Sequence, residues 1–179
     1  QMNHKPTAKK MMFKVREAYG TALMFGKKPL PAWPRPHQLM KADPANIRKL
    51  GLTLRKGQYL VGLANDLVAG TVDLDHLMQC EPHVFYDEIT SIKGIGPTSG
   101  QDLMMMRGRT DAVFPSNKKS GKETGLRRWI IHSYGKNPDT LSEKHFQELI
   151  KNWNGYEAAA LEFLYASYIL KEKEQQAKK

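Results

Sequence analysis

The sequence predicts an all-α fold, on three observations. Apolar residues recur at the three-to-four spacing of helices along most of the 179 residues. Prolines, glycines and small polar residues fall where helices begin and end. No stretch carries the sustained alternation of a half-buried strand.

Taken in order, Ala8, Met11, Met12, Val15 and Tyr19 share one helical face between Pro6 and Tyr19. Gly20 to Pro36 reads as a long connection, because its prolines argue against a regular element. Asp43-Pro44 supplies an N-cap and a proline at the first helical position, Ile47 and Leu50 a short apolar face, and Gly51 a stop. Thr53 can cap the next helix, where Tyr59, Leu60, Leu63, Ala64, Leu67 and Val68 form a broad stripe ending at Gly70. A short helix is expected over 82–91 and another from Pro97 through Leu103 and Met106 to Gly108. After the polar loop Ser116–Thr124, a helix starts near Gly125. Thr140 and Glu143 have capping-box spacing ahead of Phe146, Leu149, Ile150 and Trp153. Tyr156 to Leu170 is apolar almost all round, which predicts a central, buried helix. Lys171 to Lys179 reads as a solvated tail, and the three tryptophans, Trp33, Trp129 and Trp153, as core.

The formal charge of +10 and pI near 9.6 favour a polyanionic partner, since neutralising phosphates releases condensed counterions. Cys80 is the single cysteine, which excludes an internal disulfide framework, a multi-cysteine zinc site and a cysteine-ligated iron–sulfur cluster within the chain. An intracellular setting is the resulting expectation, in cytoplasm, nucleoid or nucleus. The six histidines show no zinc spacing, and no apolar stretch reaches the ~20 residues of a membrane span. The chain opens at Gln1 without an initiator Met, so a missing N-terminal segment is expected.

Lys93-Gly94-Ile95-Gly96, between two helices, is the most informative motif. Glycines let a phosphate approach the main chain, and the helix opening at Pro97 turns its amides and positive dipole end to the same side. By itself Gly-Ile-Gly suits a tight turn between packed helices equally well.

Its surroundings carry more. Ile89-Thr-Ser-Ile-Lys-Gly-Ile-Gly-Pro97, then Arg109-Thr-Asp-Ala-Val-Phe-Pro115, then Gly125-Leu-Arg-Arg128 closely resemble the helix-hairpin-helix DNA glycosylase superfamily, specifically its 3-methyladenine DNA glycosylase II branch. Leu50-Gly-Leu-Thr-Leu-Arg-Lys-Gly-Gln-Tyr59 is similar to the helix pair before that hairpin, and Gln1-Met2 to a glutamine-led loop. The resemblance covers nearly all of 1–170. It implies two helical lobes, 1–115 and 116–179, with double-stranded DNA in a cleft between them, a monomeric state, and extrusion of a damaged nucleotide from the stack. A carboxylate would then stabilise an oxocarbenium-like sugar, with no metal in the chemistry. By the same resemblance, Lys93, Gly94, Ile95, Gly96, Thr98, Arg127 and Arg128 contact DNA. Met2 is the wedge, Asp102 and Leu164 (with Thr98) face the base, and backbone carbonyls of Thr90, Ile92 and Ile95 hold a sodium or potassium ion.

The pattern breaks at the carboxylate. Counting back from Gly125 lands on Glu123; counting forward from Phe114-Pro115 lands on Lys118, so Asn117–Lys122 reads as an insertion. Glu123 is preferred because it is an acid at the family's spacing, although a glutamate in a lysine-rich loop can equally be solvated. Asp111 is the other nearby acid, in a structural position. Thr98 stands where bifunctional members place a nucleophilic lysine, which points away from lyase chemistry. Asp102 and Leu164 replace the aromatic residues of alkylpurine-specific relatives and leave the base open. From Lys93 to Arg128 eight basic residues face three acidic ones, a net +5. The reading is therefore a monofunctional DNA N-glycosylase of base excision repair acting through Glu123, with a non-catalytic binder of distorted DNA as the alternative. Protein–protein binding fits the charge poorly.

Overall fold

The computed structural model describes residues 5–177. Helix makes up 60% of the chain, so the fold is all-α, as the sequence predicts. Contacts divide it into two compact units. One runs through His76 and takes in Ile92–Gly94; the other comprises Leu77–Ser91 and everything from Ile95 onward. This differs from the expected division into 1–115 and 116–179: the loop Ser116–Thr124 lies inside the second unit and is pinned at both ends, as described below.

The first unit contains α1 (Lys5–Tyr19), β1 (Ala22–Phe25), β2 (Lys28–Pro31), α2 (Pro36–Leu39), α3 (Pro44–Lys49) and α4 (Leu54–Ala69). Its caps are those the sequence indicates. The Asp43 carboxylate accepts from Ala45 N at 2.8 Å, the Thr53 hydroxyl accepts from Lys56 N at 3.2 Å, and Gly70 ends α4 at φ +74°. Val15, Leu39, Ile47 and Ala64 are buried. Gly57 lets α3 and α4 approach: a Cβ there would lie 2.9 Å from Pro44 O.

The stretch expected to be irregular instead forms an antiparallel ribbon, with Leu23 opposite Leu30 and Met24 opposite Pro29. Ala32 N donates to Thr21 O at 2.9 Å. The alternation of the ladder then puts Pro29 and Pro31 at positions whose missing N–H would have faced away from β1. Proline breaks a central strand but costs such a ribbon nothing.

α5 (Leu74–Gln79) leads into the second unit, which holds α6 (Pro82–Ser91), α7 (Pro97–Met105), β3 (Lys118–Lys119), β4 (Lys122–Glu123), α8 (Gly125–Ser133), α9 (Glu143–Ile150), a 3₁₀ turn at Lys151–Trp153 and α10 (Glu157–Ala177). Phe85, Ile89, Met104, Phe114, Ile130, Ile131 and Phe146 form its core. α6 and α7 cross closely because Gly100 has no side chain; a Cβ there would meet Thr90 Cγ2 at 2.5 Å.

Three local expectations are corrected. Ser142, not Thr140, caps α9, accepting from His145 N at 3.3 Å. α10 is not enclosed: Ala158 and Leu161 are buried, but Phe163 is 79% exposed and Tyr165, Tyr168 and Leu170 are exposed too. Trp33 is not core either; it is 56% exposed, with the Arg16 guanidinium 5.4 Å from its ring centre. Among the described residues, no helix is long and apolar enough to cross a membrane.

Candidate nucleic-acid interface and active site

The two glycines of the turn have different reasons to be glycine. Gly94 has φ +101°, and a Cβ would fall 2.5 Å from the Tyr59 ring, so the first unit itself requires glycine. Gly96 has an ordinary extended backbone, φ −95°, and open space where a Cβ would sit. Among the described residues nothing asks for glycine there. Gly96 is the N-cap of α7 and offers no side-chain cap. Lys93, Gly94, Gly96, Pro97 and Thr98 are exposed, and Ile95 is half-buried. Thr98 stands in the first turn of α7 and brings no amine. Thr90 lies near the end of α6, with Ile92 and Ile95 in the turn beyond.

The insertion resolves the two counts to the carboxylate. Lys118 pairs with Glu123 and Lys119 with Lys122, closed by Ser120 and Gly121 at φ +50° and +78°. Positive φ at both turn residues is the tight geometry that matches strand twist. Lys118 and Glu123, where the forward and backward counts land, are thus directly opposite each other. The inserted residues project as a hairpin from that pair.

Glu123 is 2% exposed. Its Oε2 accepts from the Ser116 hydroxyl at 2.6 Å, and its Oε1 from Asn117 N at 2.7 Å and Thr124 N at 3.3 Å. Arg127 Nε lies 3.5 Å from Oε2. The segment is clamped from α7 by Gln101, 1% exposed: its Nε2 donates to Pro115 O at 3.3 Å and its Oε1 accepts from Leu126 N at 3.2 Å. Gly125 must be glycine, at φ +73° with a Cβ position 2.6 Å from Gln101 Oε1. The sequence signal for Gln101 was slight, a polar residue three before the buried Met104 on one helical face.

Arg127 is corrected as a DNA contact. It is 2% exposed, with its guanidinium 4.0 Å from the Phe146 ring centre, donating to Phe114 O at 3.2 Å and paired with Glu143 at 2.8 Å. A side chain so enclosed cannot reach a phosphate. Arg128 is partly exposed but pairs with Asp139 at 2.9 Å, and that same carboxylate accepts from Glu123 N at 2.9 Å. Arg107 is buried over Phe85 and donates to Cys80 O. Arg109 forks onto Asp111 at 2.8 and 2.5 Å, a structural pairing. That hydrogen bond holds the Asp111 carboxyl below its usual range. Of the eight basic residues from 93 to 128, the four lysines (Lys93, Lys118, Lys119, Lys122) are the exposed ones.

A cavity of about 600 Å³ opens in the second unit between α7, α8 and α10. Leu126, Trp129, Leu161, Met105, Met106 and Tyr165 form its apolar wall, with Asp102 and Glu162 as its carboxylates. Burial against that wall pushes the Asp102 carboxyl above its ordinary value. Trp129 and Tyr165 meet edge-to-face, 5.8 Å between centres. Asp102 therefore lines the cavity, whereas Leu164 is half-buried and its neighbour Tyr165 takes that place. Sequence reading missed both aromatics, having assigned Trp129 to the core. Met2 lies outside the described residues.

No family model matches the chain. A DNA-3-methyladenine glycosylase of Bacillus subtilis strain 168 is 23% identical over 99 residues, 55% of this chain and 33% of that protein. A second protein of that strain, YfjP, provisionally named a DNA-3-methyladenine glycosylase, is 24% identical over 149 residues, 80% of this chain and 48% of its own length. Among solved structures, MBOgg1 in complex with a low-affinity DNA ligand superposes with a TM-score of 0.70 at 22% identity, over 92% of this chain and 54% of that one. The chain thus spans about half, or less, of the length of these three proteins.

Proposed function

The chain has the fold of the helix-hairpin-helix DNA glycosylase superfamily, and from that premise we propose that it binds duplex DNA and hydrolyses the N-glycosidic bond of a flipped, damaged base without cutting the strand. The observation that carries this is a juxtaposition at the start of α8. The Glu123 carboxylate is fixed by three donors at the N-terminal end of α8, and Leu126 and Trp129 of that helix wall the apolar cavity. Positive charge developing on the sugar would be stabilised by a carboxylate that need not reorganise. A base drawn into the cavity would lie against Trp129 and Tyr165, with Asp102 at its edge. Thr98 cannot form a Schiff base, so an unnicked abasic site is the product.

Phosphates would be held at Gly96 and Lys93, and the vacant space at Gly96 supports this, since an approaching phosphate explains a glycine that the protein itself does not need. Carbonyls at the end of a helix lack intrahelical partners, so Thr90, with Ile92 and Ile95 beyond it, would offer oxygens to a sodium or potassium ion beside the turn.

A second reading, recognition of distorted duplex without base release, is favoured by the enclosure of Glu123, both of whose oxygens are already engaged. Single-turnover base release from alkylated, deaminated and oxidised duplexes separates the two. Release by the wild-type protein and its loss in Glu123→Gln, with duplex affinity retained, supports the enzyme. Tight binding with no release from any of these substrates supports the binder.

A further inference from the structure

The excess charge is concentrated in the first unit. It holds fourteen Lys and Arg against five Asp and Glu, a net +9 of the chain's +10. The ion pairs of Arg107, Arg109, Arg127, Arg128 and Lys151 fall in the second unit, where they neutralise much of its positive charge. In this same unit the ribbon carries its apolar side chains outward. Met24 is 67% and Phe25 79% exposed, and Leu23 and Leu30 are exposed with them. Two lysines, Lys27 and Lys28, follow Gly26 at the turn. Apolar groups clustered on a surface mark a contact site more often than chance.

The outer edge of β2 is closed to another strand. Pro29 and Pro31 have no N–H to give it, and the Arg16 guanidinium donates to Pro31 O. The dimensions suit another ligand. Four residues at about 3.4 Å each make a ribbon some 13 Å long, with strands about 4.8 Å apart. A major groove is about 12 Å wide and 8.5 Å deep and admits a two-stranded ribbon. From the minor groove, apolar side chains can also wedge between base steps while neighbouring cations take phosphates. Lys93 and Gly94, the start of the phosphate-binding turn, belong to this same +9 unit.

We propose that the ribbon Ala22–Pro31 is a second, sequence-independent DNA-contact element, with Met24 and Phe25 entering a groove and Lys27 and Lys28 neutralising flanking phosphates. This rests on the duplex-binding reading above. The partner is duplex DNA rather than a lipid surface because the cations spread over the whole unit, whereas its most exposed apolar side chains, Phe25 at 79% and Met24 at 67%, sit together on one narrow ribbon.

The test is duplex binding across salt by three variants: Lys27→Ala with Lys28→Ala, Met24→Ser with Phe25→Ser, and Gly96→Val. Loss of two phosphate contacts should flatten the slope of log affinity against log salt by about 1.8. The ratio of wild-type to lysine-variant affinity should then grow about tenfold from 200 to 50 mM salt. Wild type should raise the fluorescence of a 2-aminopurine placed in the duplex, and the Met24→Ser, Phe25→Ser protein should not. All four side chains face solvent, so melting temperatures should match wild type and remove misfolding as a cause. Ribbon variants that bind and report like wild type, while Gly96→Val loses affinity, overturn this inference and leave the glycosylase reading standing. A wild-type chain that binds no duplex removes that reading first. Unchanged duplex binding with lost binding to phosphatidylglycerol vesicles assigns the ribbon to membrane surfaces and overturns the DNA proposal.

Discussion

Replacing Glu123 by Gln probes both the chemistry and the frame that holds it. The two backbone donors on Oε1, Asn117 N at 2.7 Å and Thr124 N at 3.3 Å, cannot turn away, so the new carbonyl must take that side. The amide NH₂ then faces the Ser116 hydroxyl and Arg127 Nε, where Oε2 stood. The hydroxyl can rotate to accept; the arginine cannot. Each charge-assisted bond falls to a neutral one at a cost of roughly 1 kcal/mol. Arg127 loses one carboxylate but keeps Glu143 at 2.8 Å and Phe114 O, so the penalty stays below the 3–5 kcal/mol or so of an orphaned buried ion. A total of about 2–4 kcal/mol is expected, lowering the melting temperature by roughly 5–12 °C for a chain of this size. The assay pairs thermal melting with single-turnover base release well below the variant's transition. A melting temperature within about 2 °C of wild type would refute the buried hub. Full base release by a folded variant would move catalysis to another residue.

Other outcomes follow from the same geometry. Gly94→Ala should lose about 2 kcal/mol or more through positive φ and collision with Tyr59, whereas Gly96→Ala should melt like wild type yet bind duplex more weakly; equal affinity would take the turn out of the DNA interface. Gln101→Leu strands Pro115 O and Leu126 N–H in a half-buried place, costing about 1–3 kcal/mol by denaturant melts; an unchanged midpoint would mean the clamp holds nothing. Asp111 has a depressed carboxyl in the fold, so its stabilisation is present above the ordinary value near 3.8 and disappears as pH falls through the folded value. Asp111→Asn should therefore melt lower at pH 7, by under about 1 kcal/mol for so accessible a pair, and converge with wild type near pH 2; a constant gap from pH 7 to 2 would contradict the pairing.

What the sequence determined by itself is what is encoded within a few residues. Asp43, Thr53, Gly70 and Pro97 mark helix ends because caps and stops act on the adjacent turn, and Lys93 to Gly96 marks the hairpin for the same reason. Tertiary structure decided the rest. Helical periodicity shows that 156–170 is apolar but not what covers it, so Phe163 and Tyr165 could lie exposed on α10. Proline signals a broken strand until a partner fixes the ladder and leaves Pro29 and Pro31 with no bond to lose. Counting along the chain could not choose between Lys118 and Glu123, because the hairpin makes them neighbours in space. Charge counted from 93 to 128 put half the excess near the turn; folding buried Arg107 and Arg127 and paired Arg109 and Arg128, whereas the +8 of residues 1–76 was already written in the sequence. An arginine's charge is written in the sequence, but whether it meets a phosphate or a buried carboxylate depends on which distant residues the fold brings within a few ångströms.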